Sequence, residues 1–305
     1  MNGVVIAGLL TAIGVVCPAN TALSDTGSLA GRLQLTVDLD TCVWAPGSEP
    51  PRALVTYTNL SSEELTFDRP TTGPRAHMQY DYSQWLVVSD SQGVPVAPAV
   101  GVYVELPAGV EWVPDVTVGP GETYWYYMEL SWWGYDVETW NPGSYEVRAV
   151  YEYFDVPFLS FDDPDEEEQW MDQNHQLLLS NVVQLEILEQ GAKAPEAIKL
   201  ARDGAALDRS LPRMLVKGNL MADARAFTEA GASVTQESGR ATIARGDNTV
   251  TLPVGRWPRE MQDKHVPAIP SMGGGLLVPV RYVAESLGMR VHWDAKTKTA
   301  NILTG

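Results

Sequence analysis

Leu277-Val278-Pro279-Val280-Arg281-Tyr282-Val283-Ala284-Glu285-Ser286-Leu287-Gly288-Met289-Arg290-Val291-His292-Trp293-Asp294 is the most legible stretch of the chain. Pro279 suits the first turn of a helix, where its missing N–H costs nothing. Val280, Val283, Ala284 and Leu287 fall at i, i+3, i+4 and i+7 and make one apolar stripe. Gly288 stops the helix in the left-handed region. Val291 and Trp293 then begin a strand, Ala295-Lys296-Thr297-Lys298 is a polar hairpin turn, and Thr299 to Leu303 returns. An earlier stretch repeats this order. Leu220-Met221-Ala222-Asp223-Ala224-Arg225-Ala226-Phe227-Thr228-Glu229-Ala230-Gly231 is followed by Val234 and then Ala241-Thr242-Ile243. Arg225, Glu229 and Gly231 stand where Arg281, Glu285 and Gly288 stand later, the mark of an internal repeat. Strand-like runs, Ala197 to Ala201 and Thr249 to Val254, precede the copies. Each unit reads as β-α-β-β, and the two units, 197–246 and 249–305, predict a small α+β domain.

Leu277-Val278-Pro279-Val280-Arg281, Ala284-Glu285-Ser286-Leu287-Gly288 and Val291-His292-Trp293-Asp294 resemble the copper amine oxidase N-terminal-like domain, also called the stalk domain. The resemblance covers roughly residues 194–305. The first copy is degenerate, with Ala222-Asp223 in place of Val-Pro and without the Trp293-Asp294 pair. The resemblance implies an appended structural or adhesive module, not an enzyme. In that family, catalysis sits in a separate large domain. There, a tyrosine inside an Asn-Tyr-Asp/Glu motif becomes topaquinone, and three histidines, two as His-x-His, hold copper. This chain has no Asn-Tyr dipeptide, and His77, His175, His265 and His292 are scattered singly. No cofactor is therefore expected.

Arg225/Glu229 and Arg281/Glu285 are i, i+4 pairs in the weaker, Arg-first order. Exposed pairs of this kind contribute only a few tenths of a kcal/mol. The expectation is that both arginines reach main-chain carbonyls or the neighbouring strand, the alternative being ordinary surface pairs.

Upstream, the chain changes character. Its 305 residues carry a net charge of −18. Residues 1–190 hold 28 acids and five bases, a net of −23, whereas residues 191–305 hold 11 acids and 16 bases, a net of +5. The first lysine is Lys193. Residues 191–196 read as a linker between two unlike domains, in keeping with the length. The acidity makes nucleic acid a poor partner, because phosphate binding relies on Lys and Arg releasing counterions. Val4 to Val16 is a largely apolar run before Cys17-Pro18-Ala19-Asn20-Thr21-Ala22 and reads as an export signal over 1–24, too short to span a bilayer comfortably. Cleavage would fall after Ala19 or Ala22, and a lipid-anchored alternative would use Cys17. Without the signal no transmembrane helix is expected. Cys42 would then be the last cysteine left and reads as a small buried hydrophobe. The expected location is extracytoplasmic: secreted, periplasmic or at the cell surface.

Residues 25–190 alternate short apolar or β-branched runs with turns. The strands are Leu33 to Asp38, Ala53 to Tyr57, Trp85 to Val88, Val116 to Val118, Glu122 to Leu130, Ser144 to Tyr153 and about Val182 to Leu188. Regular turns and no long 3.6-residue period predict an all-β, two-sheet sandwich. Asn59-Leu60-Ser61-Ser62, Val88-Ser89-Asp90-Ser91-Gln92-Gly93, Gly119-Pro120-Gly121-Glu122 and Asn141-Pro142-Gly143-Ser144-Tyr145 resemble turns of bacterial immunoglobulin-like envelope domains and of small β proteins related to the BsuPI proteinase inhibitor. Proteinase inhibition does not follow from these turns and stands as an alternative function.

Two features of this region are candidate sites. The first is the aromatic run Tyr124, Trp125, Tyr126, Tyr127, Trp132, Trp133, Tyr135 and Trp140. Successive strand residues face opposite sides, so they cannot all share one core. Either both faces are covered, by the second sheet and by loops, or Trp132, Trp133, Tyr135 and Trp140 contact glycan or peptide. The second is Asp162-Asp163-Pro164-Asp165-Glu166-Glu167-Glu168, where Asp162, Asp163 and Asp165 are a weak calcium candidate. The EF-hand pattern is absent, and a solvated acidic loop is the simpler reading. Phosphate loops, nucleophile elbows and His-Glu-x-x-His are also absent. The leading expectation is an exported, non-catalytic bacterial envelope protein that spaces or binds. Its partners would be cell-wall or envelope components or another envelope protein.

Overall fold

The computed structural model describes residues 29, 31–67, 84–96, 115–130, 137–154, 166, 175–193, 196–208, 211–237, 239–262, 266–270 and 275–305. The expected signal, Cys17, Trp132, Trp133, Tyr135, Asp162, Asp163 and Asp165 lie outside them. The described chain is mostly β with few helices.

In the N-terminal region the strands are β1 (Leu33–Leu39), β2 (Val43–Trp44), β3 (Arg52–Asn59), β4 (Leu65–Phe67), β5 (Gln84–Asp90), β6 (Val116–Val118), β7 (Thr123–Glu129), β8 (Gly143–Phe154) and β9 (His175–Ile187). The period-2 pattern read at Leu33-Gln34-Leu35-Thr36-Val37 is the burial pattern of β1, with its odd-numbered residues buried. Strands β1, β3 and β7 form one antiparallel sheet, and β2, β9, β8 and β5 form a second. Their inward residues meet in one core. Leu35 and Val37 of β1, Tyr57 of β3, Tyr126 of β7, Val147 and Tyr151 of β8 and Leu185 of β9 all belong to it. Tyr57 is its aromatic hinge, stacked on Phe67 at 5.1 Å and edge-on to Tyr151 at 5.3 Å.

Two buried asparagines do backbone work. Asn181 of β9 accepts from the Val37 N–H at 2.9 Å and donates to the Val37 carbonyl at 2.9 Å, so one amide replaces a strand pair between the two sheets. Asn181→Ala strands both groups in the core and is expected to cost about 1–3 kcal/mol, read by urea unfolding. Asn59 explains the turn that follows it: its amide donates to the Glu63 and Val118 carbonyls and its oxygen accepts from the Ser61 N–H. Cys42 is buried in the core between the two sheets, as a small hydrophobe would be.

The C-terminal region contains β10 (Lys199–Arg202), β11 (Ala205–Ala206), β12 (Arg213–Val216), β13 (Asn219–Asp223), α1 (Arg225–Glu229), β14 (Ser233–Glu237), β15 (Arg240–Arg245) and β16 (Asn248–Pro253). They are followed by β17 (Arg256–Trp257), β18 (Ile269–Pro270), β19 (Leu276–Pro279), α2 (Val280–Ser286), β20 (Arg290–Asp294) and β21 (Thr299–Leu303). Pro279 stands at the N-cap of α2, and Val280, Val283, Ala284 and Leu287 are all buried. Gly231 (φ +81°) and Gly288 (φ +73°) end the two helices.

The strand directly before each helix is β13 or β19, and these pair antiparallel, Ala222 opposite Val278. The runs expected to precede the copies are strands β10 and β16, but each pairs elsewhere. Strand β16 follows β15 through a tight turn and is forced antiparallel to it, whereas β10 arrives from the far end of the region and lies parallel to β21. The β12-β13-β19-β18 sheet is apolar on both faces. Ala222 and Val278 turn to one core with the helices, while Met221 and Leu277 turn to another.

Candidate interaction surface and the seam beneath it

Strand β17 leaves the C-terminal region and pairs antiparallel with β7, Arg256 opposite Tyr124 and Trp257 opposite Thr123. It becomes the fourth strand of the first N-terminal sheet. The Trp125 N–H donates to the Gly255 carbonyl at 2.7 Å. Gly255 has φ +74°, and a Cβ there would stand 2.3 Å from Tyr124 Cε2, so only glycine permits this approach. Glu122 accepts from Arg256 Nε at 2.7 Å and from the Gly119 N–H at 2.8 Å, and Gln262 Nε2 donates to the Gly121 carbonyl at 3.0 Å.

The aromatic run divides at this strand. Tyr124 and Tyr126 enter the core between the N-terminal sheets. Trp125 and Tyr127, on the other face, join Leu54, Met214, Val216, Met221, Trp257, Val266, Ile269 and Leu277 in a separate apolar cluster. Both faces are covered, and the outer cover is the C-terminal region, not loops. Trp125 meets Trp257 edge-on at 4.9 Å, and Lys217 Nζ lies 5.0 Å and 4.6 Å from the two ring centroids. Of the four candidate ligand-binding aromatics only Trp140 is described. It packs against the core edge, tilted 4.9 Å from Tyr145, whose hydroxyl donates to the Asn141 carbonyl.

Beside the seam, buried Arg52 gathers three carboxylates: Glu129 at 3.1 Å, Glu49 at 3.2 Å and Asp40 at 3.5 Å. Glu49 also takes Arg213 of β12 at 3.1 Å, so the cluster bridges both regions. Burial pushes the Asp40 carboxyl up to about 6, although Arg52 opposes the shift. Burial works to lower the Arg52 guanidinium, but Asp40, Glu49 and Glu129 together carry it above its ordinary value. This cluster escaped the sequence reading because its members are scattered from Asp40 to Arg213. Among the described residues, no group of three or more His, Cys, Asp or Glu could hold a metal ion. No described helix is long and apolar enough to cross a membrane.

The repeat residues take unequal roles. Arg225 makes a two-point bridge to buried Asp223, at 2.9 Å for each contact, and so ties α1 to β13; it does not pair with Glu229. Arg281 is exposed and makes no ion pair or hydrogen bond among the described residues, because Pro279 stands where the first copy has Asp223. Asp294 holds the last hairpin, accepting from the Lys296 N–H at 2.9 Å and from the Thr297 hydroxyl at 2.8 Å. These contacts hold its carboxyl below the usual range. Glu229 and Glu285 are exposed, and Trp293 is 40% exposed. Arg225→Ala is expected to cost about 1 kcal/mol, because it strips a partner from buried Asp223. Arg281→Ala should stay within about 0.5 kcal/mol. Thermal melts of the two variants check the contrast.

Residues 202–302 match the family model of the copper amine oxidase N-terminal domain. That domain is a non-catalytic, stalk-like module. The match begins at the last residue of β10 and ends inside β21, so it takes in both helices and β17. The stretch that matches this family model therefore contributes the outer cover of Trp125 and Tyr127. No curated protein matches the chain.

Proposed function

We propose that this is an exported bacterial envelope protein in which an immunoglobulin-like sandwich over 25–190 and a stalk domain over 197–305, joined at 191–196, act as one rigid spacer without catalysing a reaction. The observation that carries the reading is the seam. The stalk lends a strand to the sandwich sheet through β17, and an apolar cluster from both regions fills the gap behind it. A tethered pair of modules would be joined by polar, loosely packed surfaces. Here Trp125, Tyr127, Met221 and Leu277 are all almost fully buried at the contact. An apolar stretch at 4–16 supports export.

Small-angle scattering of the full chain should fit one rigid particle, and protease added to intact cells should reach the protein. A profile of two lobes tumbling independently, or protection inside the cytoplasm, would overturn the reading. A second reading, a glycan- or peptide-binding module, keeps one observation in its favour: Trp140 is half-buried at a sheet corner and still presents part of its ring. Trp125 and Tyr127 are not available to it. A glycan and peptide array with no signal above that of Trp140→Ala would remove it.

A further inference from the structure

Lys217 occupies the mouth of the seam in an unusual way. It sits in the tight turn between β12 and β13 with φ +46°, a left-handed conformation disfavoured for a lysine. Its ammonium lies over two indoles, 5.0 Å from the Trp125 centroid and 4.6 Å from the Trp257 centroid. Asp38 is close enough for each charge to favour the other, yet no ion pair or hydrogen bond joins them. The Lys217 ammonium donates to no acceptor among the described residues. Burial lowers the Lys217 ammonium and raises the Asp38 carboxyl, each away from its charged form. Trp125 Nε1 is buried with no hydrogen-bond partner. The site thus offers two aromatic faces and a nearby carboxylate that makes no direct hydrogen bond to the ammonium.

A cation without N–H groups suits such a place better than a primary ammonium does. Quaternary ammonium groups are recognised by aromatic faces. They also leave no donor unsatisfied when water is excluded. We propose that the Trp125–Trp257 pair with Asp38 is a binding site for a quaternary, N-methylated ammonium group, and that Lys217 fills it in cis until such a ligand displaces it. Lys217 is exposed on its turn, which makes its side chain a displaceable occupant. Displacement leaves the β17 pairing intact, because no backbone bond of that strand involves the β12–β13 turn.

Two variants of the full chain separate occupancy from folding. Lys217→Gly removes the side chain and suits the positive φ, so the turn is kept or relieved. Lys217→Met keeps a chain of similar length without charge and leaves the site filled. Each protein is titrated with tetramethylammonium chloride, and with ammonium chloride at equal ionic strength, while the indole N–H resonances of Trp125 and Trp257 are followed by NMR. Lys217→Gly should bind tetramethylammonium saturably and at least tenfold more tightly than the wild-type chain or Lys217→Met, with ammonium giving no saturable shift. Equal responses from all three proteins, or no preference for tetramethylammonium over ammonium in Lys217→Gly, would overturn the proposal. The site rests on the rigid seam: two independently tumbling lobes in scattering would part Trp125 from Trp257 and overturn both readings, whereas a rigid particle without saturable tetramethylammonium binding would overturn the site alone.

Discussion

Gly255→Ala is expected to be among the most damaging single substitutions in the chain, at about 2–5 kcal/mol. Two independent terms add. The left-handed backbone at φ +74° penalises any Cβ by roughly 1–2 kcal/mol. The new methyl would also stand 2.3 Å from the Tyr124 ring, which is itself buried in the core, so overpacking adds about 1–3 kcal/mol. The strain falls on the seam, since the Gly255 carbonyl accepts the Trp125 N–H. Denaturant unfolding measures the loss, and hydrogen exchange should localise it to 123–129 and 255–257. A loss below about 1 kcal/mol would show that the two regions are not packed as described.

The second large effect belongs to Arg52→Met. With the guanidinium gone, Asp40, Glu49 and Glu129 face one another without their shared partner, and breaking a buried pair in this way costs about 3–5 kcal/mol. The loss should be greatest above pH 7 and shrink toward pH 5, as protons replace the lost positive charge. The wild-type chain carries a weaker version of the same dependence. Asp40 has a folded pKa of about 6 against 3.8 in the unfolded chain, so the folded state binds more protons between those values. Its contribution to stability is therefore fully present below about pH 4 and is lost as pH rises through 6. Asp40→Asn should flatten that portion of the stability–pH curve. An unchanged slope between pH 4 and 7 in that variant would show that other groups set it.

Local order was legible where one residue determines it. Pro279, Gly288 and the Val280/Val283/Ala284/Leu287 stripe specify α2 without reference to anything distant, and alternation specifies β1. The seam was not legible in the same way. Its strand is two residues long, too short to carry a period, and Gly255 matters because of Tyr124, 131 residues earlier. A signal was present in Leu276-Leu277-Val278-Pro279, where four successive buried residues require cover on both faces. The aromatic run carried the matching demand at Trp125 and Tyr127. Each side showed an apolar face without a partner, and only the fold shows that they cover each other. Arg225 and Arg281 teach a related point: the same residue at equivalent positions is anchored in one copy and has no partner among the described residues in the other, and the preceding Asp223 or Pro279 decides which.

The parallel pairing of β10 with β21 bears on mechanical load. Lys199 lies beside Thr299 and Arg202 beside Ile302, so the first and last strands of the C-terminal region run side by side in the same direction. A pull on the two ends of this region drags those strands past each other lengthwise. Their hydrogen bonds are then loaded together and cannot open one by one like a zipper. The Asp203 carboxylate, gripping the Thr304 N–H at 2.9 Å and its hydroxyl at 2.5 Å, and Arg245, donating to the Thr304 carbonyl, hold the far end of that pair against slippage. Stretching the region by its ends in a force spectrometer should therefore meet one high rupture peak, the response suited to a spacer that is kept under tension.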